Sequence, residues 1–363
     1  MPDYVAFAST VTDPYERGVE YGAVHAPQVA ATVAAYQRLW TFLAPDVDLP
    51  SVGALALASI NEQAPRAADE IAGLAAGSGR TVEEIASLNA RTEVLGLIAP
   101  RLPATECSTV VATGPGHPPV ATQTWDWYPH MQDNWMVWTF PTAAGGRVTT
   151  LTEYGVLAKI GVNDAGLGVM LNMLHHDADD QSGPPRIGFP VHVLLRTLLE
   201  RCSTVEGARE LTRSRRFTAS SAVTVVDRGG DAASLETFPE GVGEVAPEEG
   251  LLVRTNHFVS AEGAPGCQGG LLDDNSWVRR DHLLATLGAS PPDVPADVLA
   301  AMTHHLDAGP ICRHAEDPDG AEYLEVSTLA TATLDVEHGR LAVLRGGPCQ
   351  GSSAQVRLPR LAW

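Results

Sequence analysis

The chain has 363 residues, with 24 basic and 44 acidic side chains and a formal charge of −20 at pH 7. Such an excess of carboxylates repels phosphate backbones and anionic bilayers, so nucleic acid and membrane surfaces are excluded as partners. Hydrophobic residues make up 44% of the chain, enough for a substantial core and too many for disorder.

The first residues lack a basic region followed by an apolar one, so no signal peptide is expected. No apolar run approaches the ~18 residues of a membrane-spanning helix. Residues 15–43 carry Ala, Val, Tyr and Leu at i, i+3, i+4 spacing, which predicts a helix. A second, Ala-rich helix is expected over 54–76, ending at Gly77-Ser78-Gly79. Thr81-Val82-Glu83-Glu84 has the form of a capping box and opens a third helix running through Leu97.

From Cys107 the texture changes to hairpins. Segments 107–112 and 120–124 flank a Gly-Pro-Gly-His-Pro-Pro turn; 148–162 and 167–174 flank Asn163-Asp164-Ala165-Gly166. Segments 222–226 and 232–237, then 328–336 and 340–344, make two further hairpins. Helical segments are expected at 191–201, 205–213, 279–287 and 296–305. Strand runs separated by pairs of helices imply α+β or a layered α/β fold, not regular βαβ winding. Pro100 and Pro103 mark the boundary between the two textures.

Five cysteines, an odd number without CxxC spacing, read as reduced thiols in a cytoplasmic compartment. Lys159 is the only lysine and reads as a compositional bias. Cys107 stands at that boundary, at the mouth of a β-branched run. A free cysteine there is either a small buried hydrophobe or a nucleophile. A nucleophile needs a base and donors for a developing oxyanion. No papain-type signature surrounds Cys107, so a histidine base is poorly supported. Were the chain cut before Cys107, its new α-amine, with a pKa of about 8, would serve as the base. His175-His176-Asp177 lacks metal-ligand spacing and reads as a solvated loop, so no metal is expected; a metallohydrolase built on it is the remote alternative. His304-His305 reads as a helix end meeting solvent or the dipole. Arg213, Arg215 and Arg216 are a solvated helix end or a contact for a phosphate of coenzyme A.

A set of motifs in order resembles a known family. It comprises the helical segment 70–93, Glu106-Cys107-Ser108-Thr109, Gln123-Thr124-Trp125-Asp126-Trp127, Glu153-Tyr154-Gly155 and Lys159-Ile160-Gly161-Val162-Asn163. It continues through Arg254-Thr255-Asn256-His257, Asp274-Asn275-Ser276-Trp277-Val278-Arg279 and Pro310-Ile311-Cys312-Arg313. Together these resemble the acyl-CoA:6-aminopenicillanic acid (isopenicillin N) acyltransferase family of the N-terminal nucleophile (Ntn) hydrolases. The resemblance implies an α+β, four-layer αββα sandwich. It implies a helical pro-segment, 1–106, that becomes a small subunit by self-cleavage between Glu106 and Cys107, and a catalytic chain, 107–363.

By the same resemblance Cys107 is the nucleophile and Asp126 the acidic residue near the new amine. Asn256 is the oxyanion donor and Arg313 the partner of the acid. Trp125, Trp127 and Tyr154 are candidates for an acyl pocket, with core packing as the plainer reading of the tryptophans. The implied enzyme forms a thioester on Cys107 from a small amide or acyl-thioester and passes the acyl group to water or an amine. It is thus an amidohydrolase or N-acyltransferase, with no required cofactor, acyl-CoA as an allowed co-substrate and its own cleaved pro-segment as partner. The family's best-known member has glycine before the cysteine; Glu106 in its place puts the rate of self-cleavage in question. The alternative is an uncleaved, inert acyl-ligand-binding protein of the same fold.

Overall fold

A computed structural model describes residues 4–100, 107–180, 183–269, 275–305, 309–315, 323 and 325–350. A short strand, β1 (Ala6–Ala8), precedes six helices: α1 (Pro14–Val24), α2 (Ala26–Leu43), α3 (Leu49–Gln63), α4 (Pro65–Ser78), α5 (Val82–Asn89) and α6 (Arg91–Ile98). Each of the three helices expected from periodicity is split in two. Pro27 and Pro65 sit in the first turns of α2 and α4, where a missing N–H costs nothing and the ring blocks continuation from upstream. The capping box forms as expected: Glu84 N donates to Thr81 Oγ1 at 3.2 Å, and Thr81 N to Glu84 Oε2 at 2.9 Å. Helices α1 and α4 approach to backbone contact through glycines. A Cβ on Gly73 would lie 2.0 Å from Tyr15 O, and one on Gly18 2.2 Å from Glu70 O.

The rest of the chain supplies β2 (Ser108–Ala112), β3 (Val120–Trp127), β4 (Trp135–Pro141), β5 (Arg147–Glu153), β6 (Ile160–Asn163) and β7 (Leu167–Met173). Helices α7 (Val191–Arg201) and α8 (Val205–Arg213) follow, then β8 (Ser221–Asp227), β9 (Ala232–Phe238), β10 (Gly241–Val245) and β11 (Leu251–Arg254). Helices α9 (Asn275–Leu287) and α10 (Pro295–Met302) precede β12 (Ser327–Asp335) and β13 (Arg340–Arg345). An eight-stranded sheet runs β1-β4-β5-β6-β7-β8-β9-β10, and a five-stranded sheet runs β11-β2-β3-β12-β13. The strand expected over 148–162 breaks after Glu153 into β5 and β6. Gly155, at φ +95°, turns the chain there, and the loop it begins carries Lys159. Strand β3 runs three residues past the expected 124, which places Trp125, Asp126 and Trp127 on the strand.

The layers follow from side-chain alternation. In β2, Val110 and Ala112 face outward onto Leu283 and Leu287 of α9 and Val298, Ala301 and Met302 of α10. Val111, and Cys107 just before the strand, face inward, where the two sheets pack on each other. Helices α7 and α8 cover the outer face of the larger sheet. The order is therefore α-β-β-α in an α+β fold. No helix among the described residues is long and apolar enough to cross a membrane.

The N-terminal segment is not wholly helical. Strand β1 pairs in parallel with β4 at the edge of the larger sheet. A buried ion network also crosses the texture boundary. Glu70 on α4 accepts from Arg17 Nε at 2.7 Å and from Arg196 Nη2 on α7 at 2.6 Å. Arg196 also bonds Glu200 at 3.0 Å, and Arg17 Nη1 bonds Pro141 O at 3.2 Å. One hydrophobic cluster runs from Tyr21 and Trp40 through Trp125 to Val225, so both segments share a core.

Candidate active site

Cys107 is 5% exposed. Its backbone is held from several directions. The Cys107 nitrogen donates to Asn256 Oδ1 at 2.9 Å. Its carbonyl accepts from Asn172 Nδ2 at 2.9 Å and Arg279 Nη1 at 3.0 Å. Arg279 also reaches Ser108 Oγ at 2.9 Å and Asn256 Oδ1 at 3.1 Å, so one guanidinium ties α9 to the start of β2. Asn256 is fixed in turn: its backbone N donates to Ser276 Oγ at 2.8 Å and its Nδ2 to Met173 O at 2.9 Å. The site thus sits where the inner faces of both sheets meet the N-terminal end of α9.

Burial pushes the Cys107 thiol up to about 12, with the neighbouring Asp126 carboxyl adding to the effect and Lys159 and Arg279 opposing it. Asp126, fully buried, is itself raised to about 7 by desolvation, against the pull of Arg313, Thr328 and Arg279. Arg313 is carried by a loop hydrogen-bonded to β12: Arg313 N donates to Thr328 Oγ1 at 2.9 Å and Thr328 N to Arg313 O at 3.1 Å. Thr328 stands opposite Asp126 in the β12–β3 register. That pairing brings the arginine and the acid together across 187 residues of sequence, because adjacent antiparallel strands place paired residues side by side.

Beside the thiol lies a box of charge and aromatic rings. Lys159 Nζ rests 3.5 Å from the Trp125 ring centroid and bonds Glu153 Oε2 at 3.1 Å. Glu153 also accepts from Tyr36 and pairs with Arg91 at 3.0 Å, and Arg91 lies over Trp127 at 4.5 Å. Burial and the nearby Arg91 lower Lys159 to about 7, and Glu153 opposes them.

The structure therefore brings Cys107, Asp126, Asn256 and Arg313 to one place. Trp125 and Trp127 lie on the inner face of β3 and hold the cations of the box. Tyr154 packs on His25, with ring centroids 5.2 Å apart. Glu106 lies outside the described residues. His175 and His176 end a buried stretch, not a solvated loop; both are 5% exposed, and His176 caps the turn Asp177–Asp179. Three groups were not singled out from sequence. Asn172 was the readable one, a lone amide in the apolar run Leu171-Asn172-Met173. Arg279 lay inside a quoted motif without a role, and Lys159 was set aside as composition.

Comparison with known proteins matches residues 113–348 to the family "Acyl-coenzyme A:6-aminopenicillanic acid acyl-transferase". The matched span holds Asp126, Lys159, Asn172, Asn256, Arg279 and Arg313 and begins after Cys107. A curated relative, the 40 kDa form of acyl-coenzyme A:6-aminopenicillanic-acid-acyltransferase from Emericella nidulans, is 33% identical over 226 residues. That alignment takes in 61% of this chain and spans 60% of the relative's length. Among solved structures, penicillin V acylase from Agrobacterium tumefaciens is similar at a TM-score of 0.46 and 13% identity, over 66% of this chain and 83% of that one. A mutant conjugated bile acid hydrolase from Clostridium perfringens is similar at a TM-score of 0.45 and 14% identity, over 66% of this chain and 89% of that one. The family match covers most of the chain and holds Asp126, Asn256 and Arg313, and on it the chain belongs to the acyl-coenzyme A:6-aminopenicillanic acid acyl-transferase family.

Proposed function

We propose that the chain is a cysteine Ntn enzyme that cuts itself between Glu106 and Cys107 and then carries an acyl group on Cys107. The observation that supports this best is the bond from the Cys107 nitrogen to Asn256 Oδ1. Scission would turn that amide nitrogen into an α-amine already facing a carbonyl acceptor, beside its own thiol. In self-cleavage Sγ attacks the Glu106 carbonyl, the peptide C–N bond breaks, and water hydrolyses the resulting thioester.

The uncut thiol, at about 12, is almost entirely protonated near neutral pH. A free amine changes that, because it can take the thiol proton and its ammonium form stabilises the thiolate. In turnover, Sγ then bonds the carbonyl carbon of a small amide or acyl-thioester, and the amine takes its proton. We assign Asn256 Nδ2 as a donor to the oxyanion, since a neutral side-chain amide suits developing negative charge and this one is held beside the Cys107 nitrogen. The amine returns its proton to the leaving group as the C–N or C–S bond breaks. Water or an amine then takes the acyl group from sulfur. The Emericella relative makes acyl-coenzyme A with 6-aminopenicillanic acid the first pair to test, with water as the competing acceptor. A cytoplasmic location belongs to the same proposal and rests on the unpaired cysteine count.

Intact mass spectrometry tests it. Wild-type protein should appear as fragments 1–106 and 107–363, Cys107→Ala as one chain, and wild type should gain the mass of an acyl group when given an acyl-thioester. A wild-type protein that stays whole after prolonged incubation at neutral pH would overturn self-processing. The burial and high pKa of Cys107 favour the inert-binder reading in that case, and failure to acylate would then support it.

A further inference from the structure

A second cluster lies across β12 from Asp126. His305 follows α10, Cys312 and His314 flank Arg313, and Cys349 lies in a turn after β13, Pro348–Gln350. Their ligand atoms all fall within 4.8 Å of one another. His314 Nε2 is 3.2 Å from His305 Nε2, 3.2 Å from Cys349 Sγ and 3.5 Å from Cys312 Sγ; the two sulfurs are 3.3 Å apart. We propose that these four side chains bind one zinc(II) ion, and that the ion locks the loop that presents Arg313.

The donor set points to the metal. Two thiolates and two imidazoles suit a borderline-soft cation, and a closed set of four is the pattern of a structural zinc site. A tetrahedron with bonds of about 2.0–2.3 Å has edges of about 3.3–3.8 Å, the scale of the contacts seen. The surroundings are shaped to fit. His314 points Nε2 into the cluster and Nδ1 away from it, toward the Gln350 side chain. The Cys312 and Ile311 amides both donate to His304 O, at 3.2 and 3.1 Å, which fixes the helix end against the loop. Gly347 makes room for the sulfur, since a Cβ there would lie 2.2 Å from Cys312 Sγ. A Cys312–Cys349 disulfide, with sulfurs at about 2.05 Å, would account for neither imidazole. Zinc accounts for all four groups, and its binding releases both thiol protons to solvent.

The ion would join three segments: the end of α10, the Arg313 loop and the chain beyond β13. Arg313 stands between two of the ligands, so its position beside Asp126 would depend on them. The site is independent of whether Cys107 is a nucleophile.

The test uses untagged full-length protein purified under reducing conditions. Loaded with zinc(II) and dialysed, it should retain about one zinc per chain by elemental mass spectrometry, as a closed four-ligand site does. Cys312→Ser/Cys349→Ser should retain almost none, and Cys202→Ser should retain the wild-type amount. Wild type alone gives two further readouts in case the variant fails to fold. Cobalt(II) in place of zinc should show thiolate charge-transfer and tetrahedral d–d absorption. Zinc should also block alkylation of Cys349 until a chelator is added. Wild type that keeps no more zinc than the double variant, lacks the cobalt spectrum, or yields a Cys312–Cys349 disulfide peptide would overturn the proposal.

Discussion

Asp126 has no exposed surface, and burial raises its carboxyl to about 7 despite the facing Arg313. Linkage then fixes a sign. In the unfolded chain the group titrates near its ordinary value of 3.8. Between about 4 and 7 the folded state holds a proton that the unfolded state has lost. The stability this group contributes is complete below about 4 and is lost as pH rises through about 7. Asp126→Asn cannot titrate, so wild type should lose stability relative to it across that window, on the order of a few kcal/mol. Thermal melts of both proteins at intervals from pH 4 to 8 check this; parallel curves would refute it. At this scale the sequence could single out residue types able to do chemistry but not which buried polar groups meet. Cys107 was legible because a thiol at a change of texture stands out. The grip of Asn172 and Arg279 on its carbonyl, from 65 and 172 residues away, was not, because periodicity reports burial and not long-range partners.

Among the elements, the pair α1–α4 depends on the absence of side chains where the two backbones touch. Alanine at Gly73 would place a methyl 2.0 Å from Tyr15 O, a backbone atom that cannot swing away. The helices must then separate, at a cost of about 1–3 kcal/mol that outweighs the ~1 kcal/mol by which alanine favours a helix. Gly73→Ala should therefore melt several degrees below wild type. Gly207→Ala in α8, whose Cβ would come no nearer than 3.5 Å to a neighbour, should melt at or above it. Differential scanning calorimetry of the two variants separates packing from propensity. Elements such as these were read correctly in kind and wrongly in length. Apolar spacing continues across His25 and Ala64, so it ran α1 into α2 and α3 into α4, although Pro27 and Pro65 mark the breaks. Strand β1, three residues long, and β10, with only Gly243 buried, offer too little alternation to be seen in advance.

For the molecule as a whole, the decisive feature is that residues before Cys107 and after it share one core and one buried charge network. Glu70 holds Arg17 on its own side of the boundary and Arg196 on the other, and Glu200 completes the set. Strand β1 adds backbone hydrogen bonds to β4, and Glu93 accepts from Val191 N at 2.8 Å at the start of α7. If the chain is cut at Cys107, these contacts should keep fragment 1–106 in place. The fragments should co-elute in size-exclusion chromatography and part only in denaturant. Glu70→Gln leaves two buried guanidiniums sharing Glu200 as their one carboxylate, a loss below the about 3–5 kcal/mol of a fully broken buried pair. It should therefore lower the urea concentration at which the fragments separate, or at which an uncut chain unfolds. Spontaneous release of 1–106 from the cut wild type would show that the network does not hold the halves together. Equal urea midpoints for wild type and Glu70→Gln would show that the carboxylate contributes nothing to it.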